Sequence, residues 1–283
     1  MKLYLTGGTG SLGTGIQRYF RHNEISSSSI NILHRDELEK SIKNSNCNAI
    51  IHAAAIVGSS SCDAFGRNYT YKVNVDGTQN VIDIAKKLEL KMIHFSSTAI
   101  YGNKEEGVIT EETRPHLNSS YSSSKWLSEI AVIDNMEPKM RMIVRPVMVY
   151  HTRDSFTNQK SINYVIKSIL NREPQISLNL DPNTYKTYTH IEDFCNILEG
   201  LINNKRWGDV FNISCGEYRK EKVKTIFDYI SNKLENKETE IIFRPDRDTL
   251  GNHIISNRKA TRYSKVRPKY NIYQGIDEML REI

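Results

Sequence analysis

The chain has 283 residues, 38% of them hydrophobic, and its 39 basic and 33 acidic residues give a formal net charge of +6. This length suits one large α/β domain, or such a domain with a smaller lobe, and the apolar content is sufficient for a sizeable core. The positive net charge favours polyanionic ligands, including nucleotides, with an ordinary soluble basic surface as the alternative. The basic residues are dispersed rather than gathered into a block, which argues against a nucleic-acid-binding protein.

The four cysteines, Cys47, Cys62, Cys195 and Cys215, lie far apart in the sequence and lack C-x-x-C spacing. This argues against a metal site or a disulfide framework and suits a reducing compartment. The first predicted strand starts at residue 2, so no signal peptide is expected. The longest mostly apolar run, residues 50–57, is far shorter than the ~20 residues of a membrane-spanning helix. We therefore expect a cytoplasmic protein with no membrane association.

The first predicted elements are a short buried strand at residues 3–5, a glycine-rich turn and a helix at residues 12–20. The turn has the spacing Gly7-x-x-Gly10-x-x-Gly13. Gly7 and Gly10 allow a tight turn and a close approach of the backbone to a pyrophosphate, and Gly13 lets the helix pack closely on the strand. Because this arrangement presents a helix N-terminus to a phosphate, we expect a dinucleotide cofactor here, with an ordinary glycine turn as the alternative. The expected cofactor-binding residues of this segment are Gly7, Gly10, Ser11, Leu12 and Gly13.

The second predicted strand covers residues 30–33, after a short polar loop at residues 26–29. In a dinucleotide-binding sheet, the end of this strand faces the adenosine ribose. An acidic residue there favours NAD, whereas an arginine can pair with the 2′-phosphate of NADP. Arg35 therefore predicts NADP, with the alternative that Arg35 is solvated and Asp36 binds the ribose.

A third predicted strand, residues 49–55, ends in three alanines. Small side chains at the carboxyl end of a parallel strand leave room for a ligand in the adjacent crevice. We therefore expect Ala53, Ala54 and Ala55 to lie beside the cofactor. The next predicted helix opens at residues 73–78, and Asn74 in its first turn is either a cofactor-binding residue or a helix cap.

Hydroxyl side chains follow the next predicted strand, residues 91–95, and include Ser97 and Thr98. Open α/β sheets place their chemistry at this position. Further along, a helix is predicted to open at Tyr121, and its spacing places Tyr121 and Lys125 on one helical face. A surface Tyr/Lys pair is the alternative reading of this second motif.

The combination of Ser97, Tyr121 and Lys125 predicts proton transfer. A phenol has a pKa of about 10 and is a poor acid or base at neutral pH. A neighbouring ammonium and a cationic nicotinamide both favour the phenolate and lower that pKa. Such a tyrosine can exchange a proton with an alcohol oxygen while a hydride moves at carbon, and Ser97 would hydrogen-bond the same oxygen.

After a further strand at residues 142–146 the regular alternation of strands and helices ends. Helices are predicted at residues 161–170, 194–202 and 222–234 and from residue 272, with extended segments at 185–191 and 210–213. We predict a cofactor domain at residues 1–150 and a substrate-binding lobe at residues 151–283, interleaved with the final sheet elements. Arg244, Arg247 and Arg262 in this lobe are candidates for binding a diphosphate, with ordinary surface arginines as the alternative.

Together, these motifs resemble the extended short-chain dehydrogenase/reductases of the NAD(P)-dependent nucleotide-sugar epimerase/dehydratase family. The resemblance covers nearly the whole chain. It rests on residues 6–13 (TGGTGSLG), 52–55 (HAAA), 73–80 (VNVDGTQN), 96–102 (SSTAIYG), 121–125 (YSSSK) and 143–150 (IVRPVMVY), with later similarity at 189–194, 210–214 and 267–270.

This resemblance implies an α/β fold with a Rossmann-type doubly wound parallel sheet and a smaller C-terminal substrate lobe. It also implies NADP or NAD as cofactor, a nucleoside-diphosphate sugar as substrate, and a homodimer formed through two helices of the cofactor domain. Ser97, Tyr121 and Lys125 become the expected catalytic residues. We further expect Thr98, Arg244 and Arg247 to contact the substrate.

Differences between this sequence and the family patterns reduce the number of reactions to be considered. Sugar 4,6-dehydratases carry an Asp-Glu pair directly after the equivalent of Ser97, where this chain has Thr98 and Ala99. Residues 34–39 and 53–58 are similar to GDP-fucose synthase and dTDP-dehydrorhamnose reductase, which reduce 4-keto sugars with a preference for NADPH. Residues 96–102 are instead close to the UDP-galactose 4-epimerase form. We therefore expect hydride transfer at the 4-position of a hexose, with a 4-keto reductase favoured over a 4-epimerase and over a non-catalytic dinucleotide sensor.

Overall fold

The structure, a computed structural model, describes residues 1–102, 107–150, 162–245 and 251–282. The strands are β1 (Lys2–Thr6), β2 (Glu24–Ser28), β3 (Ala49–His52), β4 (Lys91–Phe95), β5 (Arg141–Pro146), β6 (Val149–Tyr150), β7 (Gln175–Leu178), β8 (Tyr185–Lys186), β9 (Thr189–His190), β10 (Val210–Ile213), β11 (Glu221–Lys222) and β12 (Glu240–Phe243). The helices are α1 (Ser11–Tyr19), α2 (Arg35–Asn44), α3 (Ser59–Phe65), α4 (Arg67–Tyr71), α5 (Gly77–Lys87), α6 (Ser120–Asn135), α7 (Ile162–Leu170), α8 (Ile191–Asn203), α9 (Val223–Lys233), α10 (Arg258–Ser264) and α11 (Ile272–Arg281). A π-helical turn (Lys72–Asp76) precedes α5, and a 3₁₀ turn (Thr98–Tyr101) follows β4.

A six-stranded sheet with the order β10-β5-β4-β3-β1-β2 forms the centre of the molecule. All its neighbouring strands pair in parallel. Successive strands are added outwards from β1 on one side and from β3 on the other, so the order reverses between β1 and β3. In doubly wound sheets, ligands bind outside the carboxyl ends of the strands at this reversal. The predicted Rossmann-type fold is confirmed.

Helices cover both faces of this sheet, because alternate residues of each buried strand point to opposite faces. Leu3 and Leu5 pack in one core with α1 and α8, whereas Tyr4 packs in a second core with α2 and α5. α8 and β10 come from the later part of the chain, yet they belong to the sheet layers. Because β4, β3 and β1 are parallel neighbours in the sheet, their carboxyl ends lie side by side.

A separate hydrophobic core holds the smaller lobe together. It is formed by α7, α9, α11 and the parallel pair of β7 and β12, and it includes Ile166, Leu178, Phe227 and Ile276. The domain boundary expected at residue 150 adjoins a part of the chain outside the described ranges, and it stays a prediction.

The predicted second strand at residues 30–33 is wrong. β2 is formed by Glu24–Ser28, so three of the four serines expected in a loop, residues 26–28, are the end of a strand. An edge strand pairs through its backbone on one side only, so polar side chains are tolerated there. The Tyr4 hydroxyl lies 2.6 Å from Ser28 Oγ and gives this polar strand a partner in the core. Ile32, expected in the strand, is buried instead in the core beside α2 and α5.

Two further observations concern membranes and metals. Over the described ranges, no helix combines the length and hydrophobicity needed to cross a bilayer. Within the same ranges, no three His, Cys, Asp or Glu side chains are grouped as metal ligands. All four cysteines are buried and free.

Candidate active site

The glycine turn between β1 and α1 brings three backbone segments into contact. Gly7 has a φ of +73°, and a Cβ added there would lie 2.6 Å from the backbone nitrogen of Ala54. A Cβ on Gly13 would lie 2.2 Å from the carbonyl oxygen of Gly7. Glycine is therefore required at both positions, because any side chain would push the turn, β3 and α1 apart. At Gly10 the nearest atom to an added Cβ is 3.4 Å away.

The N-terminus of α1 fits an anionic group. Gly10 occupies the N-cap position without a side-chain hydrogen bond, and the first turn carries no acidic residue. Ser11 and Leu12 are the first two helical residues and are half-buried. Backbone N–H groups at such an end and the helix dipole favour a phosphate. The turn therefore fits the pyrophosphate of a dinucleotide.

A cavity of about 260 Å³ opens beside this turn. Gly7, Ala54 and Ala55 line it, as expected from the sequence, and Ala53 lies just behind, at the end of β3. The remaining lining residues are Thr9, Ser28, Ser29, Ile30, Asn31, Ile32, Ile56, Phe65, Tyr69 and Val73. The crevice therefore connects the glycine turn with the end of β2.

The placement of Arg35 at the end of β2 is wrong, because β2 ends at Ser28. Arg35 is the first residue of α2, and its guanidinium forms an ion pair with Asp83 at 3.2 Å. Ser28 and Ser29 occupy the position that faces the adenosine ribose in this fold. Of the described residues that line the cavity, none is charged.

The structure brings Ser97 and Tyr121 together. Ser97 follows β4, and its hydroxyl accepts a hydrogen bond from the backbone nitrogen of Ala99 at 3.1 Å. The same hydroxyl lies close enough to the Tyr121 phenol to lower the pKa of that phenol. Tyr121 lies in the first turn of α6, which begins with a reciprocal capping box between Ser119 and Ser122. Burial raises the pKa of the Tyr121 phenol to about 12, against the opposing effect of the Ser97 hydroxyl. In the protein alone, burial therefore outweighs any lowering of this pKa.

Lys125 lies one helical turn after Tyr121 and is 4% exposed. Burial lowers the pKa of its ammonium to about 8, and the Glu129 carboxylate raises it. The positive charge of Lys125 in turn adds to burial in lowering the pKa values of His52 and His94. The ammonium therefore belongs to a buried polar layer at the carboxyl end of the sheet.

Asn74 is held within the chain rather than exposed to the crevice. Its Oδ1 accepts a hydrogen bond from the backbone nitrogen of Ile56 at 2.8 Å, and its Nδ2 donates to the Ile56 carbonyl oxygen at 3.0 Å. Nδ2 also donates to Ser124 Oγ at 2.9 Å. The capping alternative is wrong, since Asp76 is the N-cap residue of α5.

Residues 3–214 match the model of the NAD dependent epimerase/dehydratase family. This chain belongs to that family. The family is one of NAD-dependent epimerases and dehydratases. The expected kinship with extended short-chain dehydrogenases is confirmed.

Two relatives and one solved structure illustrate the similarity of this epimerase-family chain to known proteins. UDP-glucose 4-epimerase 3 of Oryza sativa subsp. japonica is 25% identical over 228 residues, 72% of this chain and 61% of that protein. The chain thus spans less than two thirds of that relative. GDP-6-deoxy-D-talose 4-dehydrogenase of Aggregatibacter actinomycetemcomitans is 25% identical over 263 residues, 87% of this chain and 86% of that protein. The structure of RMD from Pseudomonas aeruginosa complexed with NADPH shares the fold, with a TM-score of 0.82 at 18% identity over 99% of this chain and 98% of that chain.

A pair of buried histidines in this epimerase-family site was not predicted from the sequence. His52 and His94 are in register on β3 and β4, with ring centroids 5.5 Å apart. His52 Nδ1 lies 2.8 Å from Thr6 Oγ1, and His94 Nε2 lies 3.1 Å from Ser128 Oγ. Burial lowers the pKa of His52 to about 3, so the ring is neutral at physiological pH. The available signal was one histidine in each of two consecutive predicted strands, residues 49–55 and 91–95.

The residues expected to contact substrate are less closely grouped. Thr98 is buried, and its Oγ1 donates to the Pro146 carbonyl oxygen at 3.3 Å. Arg244 is exposed at the end of β12 in the smaller lobe, and Arg262 is exposed on α10, which packs beside α8. Arg247 lies outside the described residues. The structure therefore places Ser97 beside Tyr121, with Lys125 one helical turn further along α6, and the diphosphate contacts stay predictions.

Proposed function

We propose that this epimerase-family enzyme is a nucleotide-sugar oxidoreductase that transfers hydride at the 4-position of a nucleoside-diphosphate hexose, acting as a 4-keto reductase. The observation that carries the proposal is the closeness of the Ser97 hydroxyl to the Tyr121 phenol at the carboxyl end of the sheet. Two neighbouring hydroxyl groups can bind one substrate oxygen between them. Lys125 lies one turn further along the same helix.

In the proposed reaction, the bound nicotinamide supplies the hydride to the keto carbon. Tyr121 donates the proton that converts the keto oxygen into a hydroxyl, and Ser97 holds that oxygen by a hydrogen bond. Lys125 binds the nicotinamide ribose, and its ammonium favours the phenolate form that Tyr121 reaches after proton transfer. Exclusion of water by the buried site strengthens these charge interactions.

The cofactor and the substrate use different parts of the chain in this proposal. Gly7, Gly10 and Gly13 hold the pyrophosphate of NADP or NAD at the N-terminus of α1. Arg244 and Arg247 bind the substrate diphosphate from the smaller lobe. Asn74 supports the crevice through Ile56 rather than by direct contact.

Reduction at the 4-position has support from sequence and from a relative. Thr98 and Ala99 replace the Asp-Glu pair of sugar dehydratases, which argues against elimination of water. The Aggregatibacter relative is a 4-dehydrogenase of a GDP-linked 6-deoxyhexose. A 4-epimerase is the second candidate, because residues 96–102 are close to the epimerase form and the rice relative is a 4-epimerase.

The test begins with mass spectrometry of any nicotinamide that co-purifies with the protein. The enzyme is then assayed with NADPH and NADH against a panel of nucleoside-diphosphate 4-keto sugars. Tyr121→Phe is expected to lower kcat by roughly 10²–10⁴-fold, since it removes the proton donor. Tyr229→Phe, which loses a hydrogen bond to Asp277 in the smaller lobe, is the matched control.

Two outcomes would contradict the proposal. Retention of the cofactor and interconversion of two sugars without added NADPH would establish the epimerase instead. Undiminished turnover by Tyr121→Phe would show that Tyr121 is not the proton donor.

A further inference from the structure

A buried ion pair lies behind the catalytic residues. The Glu129 side chain is fully buried, and Arg145 is 5% exposed. Arg145 donates two hydrogen bonds to the Glu129 carboxylate, from Nε to Oε2 at 3.1 Å and from Nη2 to Oε1. Glu129 belongs to α6, and Arg145 belongs to β5 in the centre of the sheet.

The remaining nitrogen of the same guanidinium reaches a different element. Arg145 Nη1 donates to the Tyr101 hydroxyl, and the guanidinium carbon lies 5.1 Å from the centre of the Tyr101 ring. The Tyr101 hydroxyl in turn donates to Asn212 Oδ1 on β10 at 2.9 Å. Tyr101 is fixed on both sides and is itself buried.

These contacts connect the two elements that carry the catalytic side chains. Tyr101 ends the 3₁₀ turn (Thr98–Tyr101), which begins directly after Ser97. Glu129 lies on α6, the helix of Tyr121 and Lys125. One guanidinium therefore ties the turn beside Ser97 to the helix of Tyr121.

Glu129 also has an electrostatic relation to Lys125. The spacing of Tyr121, Lys125 and Glu129 is i, i+4, i+8, so the three side chains follow one helical face. Stability alone is a weak reason for this ion pair, because replacing a buried pair by apolar residues is often neutral or stabilising.

We propose that Glu129 and Arg145 are positioning residues: Arg145 fixes Ser97 relative to Tyr121, and Glu129 places a buried carboxylate one helical turn from Lys125. This inference rests on the proposed function, because it concerns the same proton transfer. Neither residue touches the reacting atoms.

The groups around Lys125 make the electrostatic part testable. Glu129 acts on it from α6, and His52 and His94 face it from β3 and β4. Both histidines are neutral at physiological pH, because burial lowers their pKa values. Among the described groups that act on the pKa of Lys125, the Glu129 carboxylate is the one that raises it. Loss of that charge should deprotonate Lys125 at a lower pH.

Two variants separate the two roles. Glu129→Gln removes the charge beside Lys125. Tyr101→Phe leaves the ion pair intact and removes the hydrogen bonds of the Tyr101 hydroxyl to Arg145 and to Asn212. Should Glu129→Gln fail to fold because Arg145 is left unpaired, the double variant Glu129→Leu/Arg145→Met removes both charges together. Glu199→Gln is the matched control, since Glu199 is a buried helical carboxylate that accepts hydrogen bonds from the backbone of Arg21 and His22.

The measurements are thermal unfolding, the cofactor Kd between pH 6 and 9.5, and kcat over the same range. For Glu129→Gln or the double variant, we expect the alkaline weakening of cofactor binding and the alkaline loss of kcat to begin about half a pH unit or more below wild type. Glu129→Asp keeps a carboxylate, so its pH profile should lie between that of Glu129→Gln and that of wild type. For Tyr101→Phe we expect kcat to fall roughly tenfold with no pH shift and an unchanged cofactor Kd.

Superimposable pH profiles of Glu129→Gln, or of the double variant, and wild type would overturn the electrostatic role. An unchanged kcat of Tyr101→Phe would overturn the positioning role. If Tyr121→Phe is inactive while these profiles are unchanged, only this inference fails. Full activity of Tyr121→Phe marks a failure of the proposed function itself.

Discussion

Asn74 Nδ2 lies 2.9 Å from Ser124 Oγ, so a single buried amide joins the segment after β3 to the helix that carries Tyr121 and Lys125. The same amide pairs with both the N–H and the C=O of Ile56. Asn74 is 1% exposed. These contacts keep the wall of the crevice at a fixed distance from α6.

We therefore expect Asn74→Ala to lower the free energy of unfolding by ~2 kcal/mol, because it leaves the Ile56 backbone groups unpaired. Urea unfolding monitored by circular dichroism measures this change. Asn135→Ala, which removes an exposed side-chain hydrogen bond at the end of α6, should cost less than about 0.5 kcal/mol. Unchanged stability combined with complete loss of cofactor binding would make Asn74 a direct ligand instead.

The glycines of the cofactor turn should respond differently to alanine. Gly13→Ala is expected to lower the free energy of unfolding by about 2–4 kcal/mol, because its Cβ would overlap the Gly7 carbonyl. Gly10→Ala has more room, so we expect a stability within ~1 kcal/mol of wild type but a cofactor Kd raised about tenfold or more. Equal stability of the two variants would contradict the close packing of α1 on the turn.

Selectivity between NADP and NAD should depend on Ser29 rather than Arg35. Ser29→Asp places a carboxylate beside the ribose, so we expect the Kd for NADPH to rise roughly tenfold or more with little change for NADH. Arg35→Ala breaks a half-exposed ion pair on α2, and we expect less than about a threefold change for either cofactor. Fluorescence titration measures the Kd of NADPH and of NADH for each variant. A large loss of NADPH binding in Arg35→Ala would restore Arg35 as the phosphate ligand.

The stability should fall in acid because of buried neutral histidines. Burial lowers the pKa of His52 to about 3 and that of His253 to about 4, and it lowers the pKa of His94 as well. An unfolded histidine has a pKa near 6.5, so the unfolded chain binds more protons as the pH falls from 6.5 towards these values. Each such histidine should reduce the free energy of unfolding by ~1.5 kcal/mol between pH 6.5 and 5.

Urea unfolding at several pH values gives the number of protons taken up on unfolding, from the slope of the unfolding free energy against pH. His94→Leu should remove one proton from the uptake that accompanies unfolding in this range. An unchanged pH dependence in that variant would mean that His94 is already protonated in the folded protein.

The expected homodimer can be tested on the outer side of α6. Leu127 is 44% exposed on this helix, although Lys125 and Glu129 on either side are buried. A second copy of the chain would cover this leucine. We expect Leu127→Arg to change a dimer into a monomer in light scattering, whereas Leu170→Arg, on the smaller lobe, should leave the mass unchanged. A monomeric wild-type protein would refute the expectation directly.

Several strands of the sheet could be predicted because their apolar runs are buried on both faces. The predicted ranges for β4 and β10 coincide with the structure. β2 was missed because an edge strand made mostly of serine and glutamate has no apolar run, and the apolar residues 30 and 32 that follow it pack in the core instead. The placement of Arg35 at the end of β2 was wrong for the same reason, and its role in cofactor binding stays a prediction.

The meeting of Ser97 and Tyr121 was predictable, because strand ends in a parallel sheet converge and the motifs have fixed spacing. Contacts between buried polar residues far apart in sequence could not be predicted. Glu129 and Arg145 pair across 16 positions, and nothing in either local pattern indicates the partner. An arginine inside the otherwise apolar run of β5 was the one available sign, since a buried charge requires a counter-charge.

β10 lies beside β5 in the central sheet, although it follows much of the smaller lobe in the chain. A fragment that stopped at the end of β5 would leave that strand as an unprotected edge and would also lack α8, which covers one face of the sheet. The nucleotide-binding half is thus not an interchangeable module. Chimaeras that seek a new sugar preference should exchange surface segments of the lobe and leave β10, α8 and Asn212 with their host.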